Sequence, residues 1–590
     1  MKKYSRIVAA LLAAVLSIST FVACADNGGN ESSSSKTPQS SSSEPATPSA
    51  DGTDAAPETG GMDAAVMEAA GLEYVDGNFR FIETRDISVE IFDRGLDNGK
   101  TAPEDNYWTT FIKEGMLNDH NVNVTFQPVP RWTEADDINN LLASETAPDV
   151  CVTYNYPSIQ QYAGMGGVID LAPLLTDYKA AVSNLFGLLT DINIYYDQDP
   201  ETGELWAVEA FLANNANLNT YIREDWLKTL GLSEPTNLQE FEDCLIAFRD
   251  NAETLLGADA DKMVPFAMSF DVGWRAYNLL ASYIPNDISE KDLFVYGFDD
   301  RHFSFPQIKE GVRVLNKWYN EGLIWKDFAL YGEGDTTEDT MIKNGYVGAW
   351  EQKFDVPYRD GQAGVTYNLQ QVAGADANYI AIEPFLNDAG IPKKFLAGTI
   401  DRKVFFPSTN DEPVASLLYL DWISKYENRR YLQIGDEGVH HEVRDGGAVA
   451  LLNATDETIM NSSMNIDYTI TINGLLFDDD PAATYASRAL AYSDVDPSYV
   501  ARSMEVSFNE GVVTPVFHFG PIASEEGMAT PLKEKRDGLL AKAITCEPAQ
   551  FDTVWDEGYA DYLSTGMQAI IDERTAKWEA KYGTSLVATD

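Results

Sequence analysis

Histidine, cysteine and basic residues are scarce in this sequence of 590 residues. It holds five histidines and four cysteines, and neither type has the spacing of a zinc-binding or HExxH motif. We therefore expect no metal centre built on these residues. Lys and Arg total 42 against 93 Asp and Glu, which gives a formal net charge of −51. Because this excess repels phosphate backbones, we expect no nucleic-acid partner.

Long apolar runs are also missing, since a membrane-spanning helix needs about 20 apolar residues. The first residues carry a shorter run. Three basic residues lie within the first six, an apolar stretch covers 7–18, and small residues precede Cys24. This order is typical of a bacterial lipoprotein signal peptide over 1–23, with Cys24 as the lipidated residue. An ordinary secretory peptide cut elsewhere is the alternative.

The segment 24–61 has almost nothing to bury. It is dominated by Ser, Thr, Pro, Gly, Asn and Glu, a composition that predicts a disordered linker. If Cys24 carries acyl chains, this linker holds a folded body away from the membrane. The expected location is therefore extracytoplasmic, anchored to the outer face of the bacterial cytoplasmic membrane.

The rest of the chain predicts an α/β body. With 44% hydrophobic and 11% aromatic residues the chain can fill a substantial core. Apolar residues alternate over 87–91 and 122–126, and a further short strand is predicted at 149–152. Helical patterns over 108–117 and 135–144 separate these strands. Strands that alternate with helices predict a mostly parallel sheet covered on both faces.

Six landmarks, in order along the chain, resemble those of bacterial extracellular solute-binding proteins of the carbohydrate-uptake type. They are APDVCVTY with GGVIDLAPLL, TGELWAVE, YIREDWLKTLGL followed by PT, WYNEGLI, KNGYVGAW and YLQIGDEGVHHE. The segment TGELWAVE, which resembles a hairpin of the family, departs from the usual pattern, with Trp206 in place of Tyr and Glu209 where Pro is common. Together the landmarks cover most of residues 80 to 580.

The resemblance implies a periplasmic-binding-protein-like fold, with two discontinuous α/β lobes joined by a hinge and a ligand cleft between them. Carried over, the first lobe holds 80–208 plus 395–435, and the second holds 209–394 plus 436–590. The implied function is the substrate-binding component of an ABC importer, which captures an oligosaccharide by lobe closure and delivers it to a permease. We expect a monomer that is not an enzyme and has no cofactor or metal.

A saccharide cleft needs flat aromatic faces for sugar C–H patches and polar groups for the hydroxyls. In open α/β sheets, such ligands lie at strand ends. Residues of both types occur at predicted strand ends or beside turn-like segments. The candidate ligand-binding residues are Trp274, Trp350, Trp206, Tyr154, Asn155, Asp93, Arg94 and Glu351.

Other ligands and activities stay open at this point. A secreted glycan-cleaving enzyme needs two carboxylates at a defined separation, and 93 acidic residues leave room for such a pair. A polysaccharide adhesin would bind polymer without closing. The strong negative charge would also suit a receptor for a cationic ligand, such as a basic peptide. The carboxylates of 197–201 begin like a calcium loop, but Gly203 stands one place late, which favours a hairpin turn.

Overall fold

The structure is a computed structural model. It describes residues 59–94, 102–199, 202–213, 218–269, 271–299, 302–331, 335–359, 364–396, 398, 400–444, 449–451, 466–479, 484, 495–509, 511–513, 515, 517, 519 and 522–588. The predicted signal peptide, Cys24 and all but the last three residues of the predicted linker lie outside these residues. Among the helices of the described part, none is both long and apolar enough to cross a bilayer.

Strands and helices alternate along the described chain. The strands are β1 Leu72–Val75, β2 Asn78–Phe81, β3 Arg85–Asp93, β4 Val122–Pro130, β5 Cys151–Thr153, β6 Val208–Glu209, β7 Phe211–Leu212, β8 Leu218–Arg223, β9 Val264–Ala267, β10 Val347–Lys353, β11 Tyr379–Ile382, β12 Lys394–Leu396, β13 Lys403–Phe405, β14 His441–Val443, β15 Val449–Leu451, β16 Ile472–Asn473 and β17 Gly511–Val513. The α-helices are α1 Ala64–Ala70, α2 Tyr107–His120, α3 Glu134–Ala143, α4 Tyr156–Gly164, α5 Leu171–Asp177, α6 Ser183–Leu188, α7 Asp191–Tyr195, α8 Glu224–Leu230, α9 Leu238–Asp250, α10 Ala252–Leu256, α11 Val272–Arg275, α12 Tyr277–Ala281, α13 Glu290–Tyr296, α14 Ile308–Asn320, α15 Thr337–Lys343, α16 Val365–Ala373, α17 Pro413–Ser424, α18 Tyr426–Ile434, α19 Pro497–Phe508, α20 Ala529–Thr545, α21 Phe551–Tyr562 and α22 Gln568–Tyr582.

The first core is built on parallel strands, as the sequence predicted. β3 pairs with β4 along its whole length, and a parallel bridge between Val89 and Val150 brings the start of β5 alongside. β13 lies antiparallel between β5 and β6. Because β3, β4 and β5 run in one direction, their carboxyl ends share one edge of the sheet. The expected α/β arrangement is confirmed.

Helix α2 packs closely on α17. Asn106 caps α2 by accepting hydrogen bonds from the backbone nitrogens of Trp108 and Thr109, at 2.9 and 3.2 Å. Near the middle of α2, Gly115 faces the ring of Trp422 with no room for a Cβ. The absence of a side chain at Gly115 therefore sets how near the two helices lie.

We expect Gly115→Ala to lower the free energy of unfolding by about 1–3 kcal/mol, because the new methyl group overlaps the Trp422 ring. The matched control is Gly538→Ala within α20, where an added Cβ meets nothing within 4 Å. That exposed helical position should gain about 0.5–1 kcal/mol from the better helix propensity of alanine. Chemical denaturation of both variants measures the difference. Equal effects of the same sign would refute the close packing of α2 on α17.

A second core surrounds a separate four-stranded sheet. Its order is β11, β8, β10, β9, with β10 antiparallel to β8 and parallel to β9. Apolar residues of α9 and α14, including Phe241, Phe248 and Leu315, are buried against it. The C-terminal helices α20, α21 and α22 add to the same core. Two separate groups of strands, each with its own large buried cluster, therefore lie at the centres of the two cores.

Within the described residues, three passages of the chain between the two cores are seen. Val208 belongs to the first core and Leu218 to the second, Phe395 to the second and Val404 to the first. The third passage follows β16, because Ile470 packs in the first core whereas α19 contacts β8 and β11. The lobe boundaries stay predictions, and Ile470 packs with the first core although it lies beyond the predicted boundary at 435.

Candidate ligand-binding site

One group of predicted site residues comes together at the carboxyl ends of β3, β4 and β5, which we call the first edge. Asp93 and Arg94 end β3, Arg131 follows β4, and Tyr154 follows β5. The Arg131 backbone nitrogen donates to the Asp93 carbonyl oxygen at 2.9 Å. The Arg131 guanidinium carbon lies 4.1 Å from the centroid of the Tyr154 ring. Asn155 is the next residue along the chain, so four predicted residues share this edge.

Arg94 is held in place by a buried carboxylate from a distant segment. Its Nε and Nη2 donate to Oδ2 and Oδ1 of Asp467, at 2.6 and 3.1 Å. Arg402 reaches the same carboxylate, with 3.3 Å between Nη1 and Oδ1. Paired guanidinium groups on one carboxylate fix both the strand end and the segment that contains Asp467. The side chain of Arg94, a predicted contact residue, is therefore held in a fixed position by Asp467.

Tyr154 joins the first edge to the passages between the cores. Its hydroxyl accepts a hydrogen bond from Nδ2 of Asn473 at 3.1 Å, and burial raises the pKa of the phenol. The same Asn473 amide donates to the carboxylate of Asp401. A movement of these linking segments would therefore shift the position of the Tyr154 ring.

All three passages meet in a buried polar group. The Asp401 backbone nitrogen donates to Oε2 of Glu209 at 3.0 Å, and Lys403 Nζ lies 3.4 Å from Oε1 of Glu209. Asp197 lies beside them, and burial followed by the charge of Glu209 raises the pKa of its carboxyl group well above the usual value. Glu209 stands on the first passage, Asp401 on the second and Asn473 on the third, so polar contacts tie the passages together.

A second group lies at the carboxyl ends of β9 and β10, which we call the second edge. These two strands are parallel, so their ends meet. The half-buried Trp274 of α11 donates from Nε1 to Oε1 of Gln352 at 2.8 Å. The Lys353 ammonium lies 5.6 Å from the Trp274 ring centroid. This bond fixes the orientation of a flat ring that retains a partly exposed face.

Trp350 and Glu351 lie deeper than the sequence suggested. Trp350 is only 1% exposed and packs against the rings of Tyr221 and Tyr379. Its indole nitrogen has no hydrogen-bond partner within the described part of the chain. Glu351 is fully buried and accepts from the backbone nitrogen of Asn278 at 2.9 Å. Ligand contact by these two residues stays a prediction that their burial does not support.

Burial raises the pKa of Glu351 to about 8, although hydrogen bonds from Asn278 and Thr220 oppose the shift. A carboxyl with a raised pKa stabilises the fold below its unfolded pKa, and that stability is lost as the pH rises toward 8. We expect Glu351→Gln to remove this component and to raise the free energy of unfolding at pH 8.5 by about 2–4 kcal/mol relative to the parent. Denaturation at pH 5 and pH 8.5 measures it. An identical pH slope in parent and variant would contradict the assignment.

Trp206 stands apart from both edges. It precedes β6, which runs parallel to β5 through the shared neighbour β13. The tryptophan is therefore at the amino ends of these strands, whereas Tyr154 is at the carboxyl ends. Its half-buried ring packs against a separate buried cluster, which includes Ile159 of α4 and Val168. We do not group it with the candidate site.

A cavity of about 360 Å³ also lies on that opposite side of the first sheet. It is lined by the ends of α3 and α4 and by the turn after β13, including Tyr162, Met165 and Ser408. The predicted site residues do not line it. A site that lies open to solvent between two strand edges forms no enclosed cavity. For this reason, the measurable volume of the cavity near Tyr162 does not make that cavity the better candidate for ligand binding.

No model of a known protein family matches the chain. Among curated proteins, it is similar to lipoprotein LipO of Bacillus subtilis (strain 168), at 23% identity over 331 residues, 54% of this chain and 61% of LipO. An uncharacterized protein in the butB 5' region of Niallia circulans is 25% identical over 163 residues, 27% of this chain and 60% of that protein. The chain thus spans about three fifths of each relative's length.

Solved structures give fuller coverage. Alginate-binding protein AlgQ2, solved without calcium ion, superposes with a TM-score of 0.60 at 17% identity, covering 84% of this chain and 98% of AlgQ2. The S. pneumoniae ABC-transporter substrate-binding protein FusA, in complex with kestose, gives 0.58 at 14% identity, covering 85% and 100%. An HMO-binding solute-binding protein from Bifidobacterium longum infantis gives 0.53 at 15%, covering 84% and 99%.

This chain has the two-lobed fold of ABC-transporter solute-binding proteins. The expectation drawn from the six sequence landmarks is confirmed at the level of the fold. Sequence reasoning missed Arg131 and the half-exposed Trp132 beside it, which follow β4 as Asp93 and Arg94 end β3. The pattern that could have found them was the same one, an Arg beside other polar or aromatic residues directly after a predicted strand.

Proposed function

We propose that this protein is the substrate-binding component of an ABC importer and captures an oligosaccharide by closing two lobes around it. The observation that carries the proposal is the pairing of aromatic and polar side chains at two separate strand edges. Tyr154 and Arg94 supply them at the first edge, and Trp274 with Gln352 supplies them at the second. AlgQ2 is an alginate-binding protein, FusA was solved in complex with kestose, and the Bifidobacterium longum infantis protein binds HMO, which supports a saccharide ligand for this chain.

Lobe closure follows from how a ligand touches the two edges. A ligand that contacts both lobes binds the closed form more tightly than the open form, so it shifts the population toward closure. A shift from 1:99 to 99:1 requires roughly 5.5 kcal/mol of differential affinity. Contacts that a ligand makes at one edge alone are the same in the open and closed forms, so they contribute nothing to the difference in affinity. The two edges therefore act together, and the passages at Glu209, Asp401 and Asn473 form the hinge.

We further propose that lipidated Cys24 tethers the chain to the outer face of the cytoplasmic membrane. The LipO relative is a lipoprotein by name, which supports this location. The closed, loaded form would be handed to a membrane permease of the ABC class. The sequence contains no GxxxxGK[ST] phosphate loop, so ATP hydrolysis would be the task of a separate chain.

One experiment distinguishes a protein that binds an intact oligosaccharide from an enzyme that cleaves it. The lipid-free chain is incubated with a panel of oligosaccharides, followed by thermal unfolding and by mass analysis of the sugar. A ligand at 100 times its Kd should add about 2.7 kcal/mol of stability, and its mass should stay unchanged. Shortened products would contradict the proposal in favour of a glycan-cleaving enzyme. The panel also includes basic peptides. If only those peptides stabilised the protein, the proposal of a sugar ligand would be contradicted.

A further inference from the structure

Arg131 at the first edge forms no salt bridge within the described part of the chain, although its charge acts on the nearby Glu134 carboxyl, where it partly offsets the rise in pKa that burial causes. No carboxylate of the described residues lies within salt-bridge distance of its guanidinium group, and its Nε–H is buried without an acceptor there. Acidic residues are not in short supply, since the chain holds 93 of them against 42 basic residues. Arg94 and Arg402, by contrast, share the Asp467 carboxylate. The buried Nε–H without an acceptor among the described residues is therefore a local feature that needs an explanation.

Aromatic rings hold this guanidinium group in place. Its central carbon lies 4.1 Å from the ring centroid of Tyr154, 5.3 Å from that of Phe92 and 5.6 Å from that of Trp132. Rings stabilise a cation through their faces but accept none of its in-plane hydrogen bonds. The planar fork of donors is thus oriented and still available. A fork of this kind matches the two oxygens of a carboxylate.

The residues around Arg131 favour an anionic ligand. The one carboxylate of α3 near Arg131, that of Glu134, is buried and already accepts from the Thr153 hydroxyl at 2.7 Å and the Tyr154 backbone nitrogen at 3.2 Å. Trp132, 53% exposed, offers a flat ring next to the guanidinium. A cationic peptide would meet unfavourable charge here. A neutral sugar would satisfy hydrogen bonds without compensating the charge of Arg131.

We infer that the ligand is an acidic oligosaccharide and that Arg131 binds a carboxylate of one of its uronic acid residues, with Trp132 under the neighbouring sugar face. This inference rests on the proposed function and specifies its substrate class. It assigns Arg131 a role in specificity, because the neutral counterpart of the same sugar lacks the group that the fork binds.

The test compares galacturonic acid oligosaccharides with the same oligosaccharides after reduction of their carboxyl groups, by calorimetry on the lipid-free chain. We expect the acidic form to bind about 10–100-fold more tightly than the reduced form. Arg131→Gln should weaken binding of the acidic form much more than binding of the reduced form, and should therefore remove most of this preference. Arg131→Lys, which keeps the charge but not the fork, should give an intermediate preference. Thermal unfolding of each variant without ligand confirms folding.

The outcomes separate the two proposals. Equal affinity for the acidic and reduced forms, or an equal loss of both in Arg131→Gln, would overturn the inference and leave the receptor function standing. Tighter binding of a sulfated oligosaccharide than of the carboxylated one would also overturn it, because the assignment is to a carboxylate. A failure of acidic and neutral oligosaccharides of every composition to bind would overturn the proposed function itself.

Discussion

Arg402→Met is expected to lower the free energy of unfolding by about 3–5 kcal/mol, because it removes one partner from a fully buried polar group. Its guanidinium donates to main-chain carbonyl oxygens of the third passage and to one carboxylate. The carbonyl acceptors are those of Ile466, Thr469, Ile470 and Ile472, and the carboxylate is that of Asp467. Methionine fills part of the volume but donates to none of these acceptors; the Asp467 carboxylate keeps its bonds from Arg94 and the Thr469 carbonyl oxygen keeps that from the Ile472 backbone nitrogen, whereas the Arg402 bonds are lost without replacement.

The matched control is Arg249→Met on the surface. Arg249 also pairs with a carboxylate, that of Asp250 at 2.8 Å, and donates to the Glu321 carbonyl oxygen. Because both partners are exposed to water, that substitution should cost less than about 1 kcal/mol. Urea denaturation of the two variants measures the contrast. A loss in Arg402→Met no larger than in the control would mean that Arg402 does not hold the third passage.

Trp274→Ala should weaken oligosaccharide binding by about 10–100-fold, because a sugar loses an aromatic face at the second edge. Trp274→Phe keeps a flat ring but cannot donate to Gln352, so it should lose less. Free-state stability should change only modestly, since the ring is half-buried. Calorimetry with the tightest ligand of the panel measures both variants.

Trp206→Ala provides the comparison. Both tryptophans are half-buried, and the sequence proposed both as ligand contacts, but Trp206 lies at the amino ends of the first-core strands. Its removal should leave the affinity unchanged. If Trp206→Ala weakened binding and Trp274→Ala did not, the ligand would lie on the other side of the sheet and the proposed site would be wrong.

The first edge shows what local pattern can predict. Alternating apolar residues identified β3, β4 and β5 as strands of a mostly parallel sheet, and parallel strands place their carboxyl ends together. Asp93, Arg94, Tyr154 and Asn155 were proposed as ligand contacts because they lie at the ends of these strands, and the structure brings them to one edge. The ion-pair partner of Arg94 could not be predicted from local sequence patterns, because Asp467 is 373 residues away along the chain.

Trp350 shows where the pattern fails. Its place late in a predicted strand, followed by polar residues, suggested a position at the sheet edge. In the structure, β10 continues to Lys353, and the residues from Val347 to Glu351 are all buried. A central strand covered on both faces buries every side chain, so no alternation marks which ones reach a ligand. The packing of α11 on β10 and of α12 on the neighbouring strand β8 decides this, and sequence alone does not give it.

Small-angle X-ray scattering tests the central claim most directly. The chain without its predicted signal peptide, with Cys24→Ser, is measured alone and with a saturating oligosaccharide from the panel. Closure of two lobes around an intact ligand predicts a smaller radius of gyration in the complex. An unchanged radius at confirmed saturation would contradict capture by closure.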